Sequence, residues 1–402
     1  MSVDFKSIIE EIRALKTLGG LRGQQRVMWK QDGVCYGTSW TMSFGAITED
    51  DIYEMEDYKP EVQAFMKIKG FDYMVMAQPK YAAYFARKNQ GIDVILDDMA
   101  QIIGGRIEAV DSDDFEKIVS AFKKAPAVLL SDIESALTLG RDPYEAFSAM
   151  TVLEKTAEAS FGAGAIGGAK TLSGMQIAFH RNKYLKKYSE IRIVHKDALT
   201  KGDFDERELA LRQALADAGK TLLADGLIQG TWGNLSVRLD EGFMLVTPSG
   251  LPYDILTPDD MVKVRLVDLE HAPSENEPTS EAMLHSAIYL EREDVAAIVH
   301  THSAGASAFA AARMPLEIPK AGARPEELIR CTDYERPGTN KIANKAVKEL
   351  RDKSGVILAN HGMVSVGETL GRAIENAHRM EQAAKKAIDA RSNILDVEVY
   401  IR

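Results

Sequence analysis

The residues Ala297-Ile298-Val299-His300-Thr301-His302-Ser303 carry the clearest chemistry in the chain. Their apolar, β-branched start predicts a strand, on which alternate side chains share a face. His300 and His302 are therefore expected side by side, as half of the kind of site that imidazole makes with zinc. A third imidazole is available in Asn360-His361-Gly362, after a second apolar run, Val356-Ile357-Leu358-Ala359. All eight histidines lie at position 180 or beyond, so a histidine-built metal site must belong to the second half.

Pro278-Thr279-Ser280-Glu281 opens a predicted helix. An acidic residue in the first turn suits the helix dipole, with Thr279 or Ser280 as cap. Capping hydroxyls and free amides at such a start also suit a phosphate. Two more glycine-bearing loops follow that pattern, residues 230–236 with Gly233 and Asn234, and residues 246–250 with Ser249 and Gly250. Singly each loop reads as a turn, but beside the histidines the three together suggest an anion cradle. His285, one turn beyond Glu281, could hydrogen-bond behind the site or simply pack, with packing the preferred reading, and His378 is expected to be structural.

In order along the chain stand Gly230-Thr231-Trp232-Gly233-Asn234-Leu235-Ser236-Val237-Arg238, Thr247-Pro248-Ser249-Gly250, Thr279-Ser280-Glu281 and His300-Thr301-His302-Ser303. Asp333-Tyr334 with Gly338-Thr339, and then Asn360-His361-Gly362, complete the series. This set resembles the class II aldolase/adducin family over about residues 205–390. The resemblance implies a three-layer α/β/α domain around a mostly antiparallel sheet. It implies Zn2+, or another divalent transition metal, held by His300, His302 and His361, with Glu281 as the acid/base. Gly233, Asn234, Ser249, Gly250, Thr279 and Ser280 would bind a substrate phosphate. The implied activity is a zinc-dependent lyase cleaving a ketose 1-phosphate to dihydroxyacetone phosphate and an aldehyde, in a homo-oligomer (dimer or tetramer). Alternatives on the same scaffold are a sugar-phosphate dehydratase, decarboxylase or 4-epimerase, or a non-catalytic, adducin-like assembly protein. The three histidines and Glu281 favour an enzyme. A tyrosine that the family aldolase uses is absent from residues 317–322, which leaves Tyr334 and Tyr400 as candidate proton donors.

The elements that must position these groups fit a chain of 402 residues, long enough for two α/β domains. A net charge of −11 argues against a general nucleic-acid binder. Two cysteines, no membrane-length apolar run and an N-terminal amphipathic helix without a signal-peptide core point to a cytoplasmic protein. Helices are predicted near residues 5–18, 79–88, 142–160, 205–225, 280–290, 303–312, 339–353 and 368–391. Residues 162–174, rich in Gly and Ala, contain a G-x-G-x-x-G that follows a helix and not a strand, so they read as a flexible connection. Residues 181–201 read as the linker between domains 1–190 and 200–395. The first half looks like a degenerate copy of the second. Residues 71–78 lie opposite 295–302, which puts Met76 and Gln78 where His300 and His302 stand. Ile133 lies opposite His361, and Glu154 opposite Glu381.

Overall fold

The computed structural model describes residues 5–15, 23–188, 204–272, 276–320 and 326–392. They form two compact units. One takes the chain up to residue 161 together with 171–184, and the other takes 162–170 and the described chain from 185 to 392. Among the described residues no helix is long and apolar enough to cross a membrane.

In the first unit, helix α1 (Lys6–Ala14) precedes strands β1 (Gln25–Gln31), β2 (Val34–Thr38) and β3 (Ile52–Glu54). Then come α2 (Pro60–Lys67), β4 (Tyr73–Ala77), α3 (Lys80–Arg87), α4 (Asp97–Ile102), β5 (Glu108–Val110) and α5 (Phe115–Phe122). β6 (Ala127–Leu130), β7 (Ser135–Gly140), α6 (Pro143–Ala165) and α7 (Gly174–Lys183) complete it. The sheet order is β3-β2-β1-β4-β7-β6-β5, antiparallel except between β5 and β6. A buried Lys155–Asp98 ion pair ties α4 to α6, and His180 of α7 lies 2.9 Å from Asp97.

The second unit runs α8 (Glu206–Ala224), β8 (Asn234–Arg238), β9 (Phe243–Val246), β10 (Val262–Arg265), α9 (Ala282–Glu291) and β11 (Ala297–Thr301). It continues with α10 (Ala304–Ala312), β12 (Leu316–Ile318), β13 (Glu327–Ile329), α11 (Asn340–Leu350), β14 (Gly355–Leu358), β15 (Gly362–Gly367) and α12 (Leu370–Asp389). Its main sheet has the order β10-β9-β8-β11-β15-β14, all antiparallel. Ala297 and Val299 of β11 pack into a core with residues of α8, α10 and α12, whereas Ile298 packs into a second core with α9 and α11. This strict alternation makes three layers, α/β/α. It also turns His300, two residues after Ile298, toward the α9 face.

The two sheets share strand order through six positions, β3-β2-β1-β4-β7-β6 matching β10-β9-β8-β11-β15-β14. Register matches as well. Met76 pairs with Arg26 and Leu137, as His300 pairs with Asn234 and Val364. Thr38 Oγ1 accepts from Val27 N at 3.2 Å, and Thr247 Oγ1 from Leu235 N at 3.1 Å. Thr138 donates to the Ala146 carbonyl at 2.7 Å, and Ser365 to that of Ala373 at 2.8 Å. Asp51 closes a capping box with Thr48, as Asp260 does with Thr257. Glu154 accepts from the amides of Tyr81 and Ala82 at the start of α3, and Glu381 from those of Gly305 and Ala306 at the start of α10.

The Gly/Ala-rich stretch is not the flexible connection its composition suggests. Residues 162–165 finish α6, Ala165 and Ile166 pack on the core of the second unit, and Lys170 N–H donates to the Ala311 carbonyl at 2.8 Å. Close packing needs a glycine at 162, where a Cβ would meet Ile388 at 2.8 Å and Ala308 at 2.9 Å, whereas Gly164, Gly167 and Gly168 have open space at that position. The expected linker also begins later. Residues 181–183 close α7, whose start is capped by a Ser173/Gln176 box, and 184–188 form a π-helical turn. The rest of that stretch, like residues 16–18 of the first predicted helix, lies outside the described residues.

Candidate metal centre and active site

Three elements converge on one point. β11 supplies His300 and, just past its end, His302. The hairpin turn between β14 and β15 supplies His361, and the N-cap of α9 is Glu281 itself. One ligand atom from each of these four buried residues lies within 4.8 Å of all the others. His300 Nε2 is 2.9 Å from His302 Nε2 and 3.2 Å from His361 Nε2. The Glu281 carboxylate spans two of them, Oε2 at 3.0 Å from His300 Nε2 and Oε1 at 3.1 Å from His361 Nε2.

The donor set fits a divalent metal. Three imidazole nitrogens facing one another cannot all donate, so without a cation their lone pairs oppose. A tetrahedral centre with bonds of about 2.0–2.1 Å spaces its ligands by about 3.3 Å, close to the separations found. His300 is prepared for the role, because its Nδ1 lies 2.8 Å from the Met363 carbonyl. Nδ1 must carry the proton there, which leaves Nε2 free to ligate. Glu281 Oε1 is buried with no well-aligned hydrogen-bond donor among the described residues. Burial alone would raise the Glu281 carboxyl. With His300 and His361 protonated at both nitrogens, their charges and hydrogen bonds would outweigh it and hold the group well below the usual carboxylate range.

Local backbone fixes these groups. Asn360 adopts the left-handed conformation (φ 57°) that lets the hairpin turn sharply before His361. Its side chain is gripped at both ends, accepting from Arg313 Nε at 2.8 Å and donating to the Lys170 carbonyl at 2.6 Å. At the start of β8, Gly233 has φ 113°, and a Cβ there would sit 2.7 Å from the His300 carbonyl. Only glycine lets β8 approach the metal strand this closely.

The six residues expected to bind phosphate separate into two groups. Ser249 and Gly250 are drawn together with Thr279 and Ser280 by backbone pairing. Ser249 N–H donates to Glu277 at 2.9 Å, Thr279 N–H donates to Thr247 at 3.1 Å, and Pro248 bridges Pro278. Ser280 is exposed and Thr279 buried, its hydroxyl accepting from Glu281 N at 3.3 Å. Asn234 turns elsewhere. Its amide donates to Glu281 Oε2 at 3.0 Å, and its Oδ1 faces His285 Nε2 at 2.6 Å. His285, for which the sequence favours packing over hydrogen bonding, is hydrogen-bonded at both nitrogens, its Nδ1 lying 2.6 Å from Ser236 Oγ. Burial pushes it down to about 3, so it stays neutral. Its partners are strand residues far away in sequence, which helical spacing alone cannot indicate. Tyr334 lies under the Arg313 guanidinium at 5.9 Å, and His378 pairs with Asp225 at the surface. Tyr400 lies outside the described residues.

In the first unit the equivalent places hold Met76, Gln78 and Ile133, and no metal-ligand cluster occurs there among the described residues. Arg26, opposite Met76, is nearly buried, 3.3 Å from the Met76 sulfur and 4.0 Å from Glu61.

Residues 213–388 match the family model described as the class II aldolase and adducin N-terminal domain. A 5-deoxy-D-ribulose 1-phosphate aldolase of Bacillus thuringiensis serovar kurstaki is 35% identical over 180 residues, 43% of this chain and 82% of that protein. An L-fuculose phosphate aldolase of Haemophilus influenzae is 30% identical over 193 residues, 46% of this chain and 86% of that protein. An L-ribulose-5-phosphate 4-epimerase of Salmonella paratyphi C is 32% identical over 199 residues, 45% of this chain and 85% of that protein. The fold and site of the second unit are thus those of a metal-type α/β enzyme. The chain belongs to the class II aldolase and adducin family, and within it stands with the metal-dependent lyases.

Proposed function

We propose that the second unit is a zinc-dependent aldolase that cleaves a ketose 1-phosphate to dihydroxyacetone phosphate and an aldehyde. The observation that carries this reading is the closure of three imidazoles and one carboxylate on a single buried point. His300, His302 and His361 would hold the ion, which when bound acts as a Lewis acid on the ketose oxygens. Breaking the C3–C4 bond turns the C4 hydroxyl carbon into the aldehyde, its hydroxyl proton passing to the Glu281 carboxylate, and leaves the electron pair on the three-carbon fragment. Glu281 carries the proton that closes that fragment at C3, and removes it in the condensing direction. The paired loops bearing Ser249, Gly250, Thr279 and Ser280 offer hydroxyls and backbone amides for the phosphate, which orients the sugar. We read residues 1–190 as a degenerate copy without metal ligands and 200–395 as the catalytic domain. Shared strand order and the paired scaffold hydrogen bonds support that reading.

The test is metal analysis of the purified protein with cleavage assays on a panel of ketose 1-phosphates, for wild type and His302→Ala. About one zinc per chain, lost in the variant together with cleavage, is the expected result. Zinc without cleavage of any panel member would redirect the reading to a dehydratase, decarboxylase or 4-epimerase. A wild-type chain that takes up no zinc when it is offered would overturn the enzyme reading.

A further inference from the structure

A polar chain leads from the Glu281 carboxylate into the interior of the second unit. Asn234 donates to Glu281 at 3.0 Å, so its carbonyl oxygen is the atom that faces His285 Nε2 at 2.6 Å. A carbonyl only accepts, which places the imidazole proton on Nε2 and leaves Nδ1 to accept from Ser236 Oγ at 2.6 Å. Ser236 in turn lies 2.8 Å from the Tyr289 hydroxyl, which donates to it. Every donor then points the same way, toward Glu281. The opposite amide orientation would set the Asn234 oxygen against the carboxylate. Ser236, His285 and Tyr289 are at most 1% exposed, and Asn234 only 5%, so water does not compete for these bonds.

The first unit supplies an internal comparison. It keeps the scaffold hydrogen bonds of Thr38, Thr138, Asp51 and Glu154, counterparts of those of Thr247, Ser365, Asp260 and Glu381. The positions of the polar chain are changed. Sheet register sets Arg26 and Met28 of β1 opposite Asn234 and Ser236 of β8. Counting back the same distance from β4 and β11 sets Glu61 and Phe65 opposite His285 and Tyr289. The polar chain is thus missing from the unit that lacks the metal ligands among its described residues, while the buried hydroxyl bonds of Thr38 and Thr138, counterparts of those of Thr247 and Ser365, are present in both.

We infer that Tyr289, Ser236, His285 and Asn234 act as a positioning relay that fixes the orientation of the Glu281 carboxylate for proton transfer. The inference rests on the role of Glu281 given above, and it gives Asn234 a bond to the carboxylate beside the phosphate role expected of it. Asn234 presents Glu281 with a donor whose direction is set by His285. His285 is held in one tautomer by Ser236 and Tyr289.

Two measurements on the full chain test it. In protein labelled with 15N-histidine, the His285 signal, assigned by its loss in His285→Gln, should show a neutral ring protonated at Nε2. A ring protonated at Nδ1 would overturn the relay whether or not the protein is an aldolase. For the zinc-loaded protein, His285→Phe should lower kcat about 10–100-fold while leaving KM and metal content within about twofold. The cobalt-substituted spectrum should not change. His285→Gln, whose amide can still donate to Asn234, should recover most of the loss. The His285→Phe/Asn234→Ala pair should be no worse than Asn234→Ala alone. If His285→Phe does not fold, Tyr289→Phe substitutes for it, with an expected threefold to tenfold loss in kcat. Unchanged kcat, or additive losses in the pair, would overturn the relay. Absence of cleavage by wild type would count against the aldolase reading alone, leaving the tautomer to decide the relay.

Discussion

Asn360 and Lys170, 190 residues apart in sequence, are joined by one hydrogen bond of 2.6 Å from the Asn360 amide to the Lys170 carbonyl. Asn360 immediately precedes the metal-facing His361, and Lys170 ends the Gly/Ala-rich stretch. A segment that looks like a spacer thus helps to hold the turn that carries His361 into the candidate metal cluster.

Asn360→Asp keeps an acceptor for Arg313 but sets a carboxylate oxygen against the Lys170 carbonyl. Metal affinity should fall about 10–100-fold, as for other groups that orient a ligand. Competition against a chromophoric chelator measures this, and unchanged affinity would show that the clasp is not needed.

Glu281→Gln leaves all three imidazoles in place and removes the titrating oxygen. Zinc content should stay near that of wild type while kcat falls about 10²–10⁴-fold, the span attributed to general acid–base catalysis. Equal loss of metal and turnover would make Glu281 a ligand first and an acid/base second.

Zinc at 100 times its dissociation constant should stabilise the second unit by about 2.7 kcal/mol, provided the unfolded chain does not bind it. In calorimetry only the transition that disappears from the His300→Ala response should move with zinc. The first unit, with Met76, Gln78 and Ile133 at the matching positions, should melt at the same temperature with or without it.

Burial raises Glu154 to about 7 from an ordinary value of 4.5, even though two backbone amides favour its charged form. The folded state therefore holds the proton more tightly than the unfolded state. The stability from this group is complete below about pH 4.5 and is lost as pH rises through about 7. Urea midpoints of the first unit should decline across that window. Glu154→Gln should remove the slope, since its amide oxygen can still accept from a backbone amide but does not titrate. A slope that persists in the variant assigns it to another group.

The metal strand was readable because Ala297–Thr301 is apolar, β-branched and bounded by chemistry, and a period of two dictates which side His300 faces. The alignment of residues 71–78 with 295–302 likewise carried sheet position, since the matched strands lie at the centre of both sheets. Polar partnerships were less legible. His285 sits on a helical face that would pack equally well without hydrogen bonds, and its partners come from β8, 49 and 51 residues away. Composition misled at residues 162–170, which end a helix and pack on the core, with Gly162 permitting close contact with Ile388 and Ala308. Asn234 was assigned by its motif to the phosphate. Its hydrogen bond to Glu281 carries no signal in that motif.

The pairing of residues 247–249 with 277–279 joins the two hydroxyl-bearing loops along their backbones and ends two residues before Glu281. Such a joint acts as a lever. A group that pulls on the Ser249–Gly250 loop also shifts the base of α9, and with it the carboxylate. Recognition at one end of the sugar would then set the acid/base at the other, as when remote binding energy is used in the transition state. A ketose stripped of its phosphate should turn over more slowly even at saturation, and added inorganic phosphate should restore part of the rate.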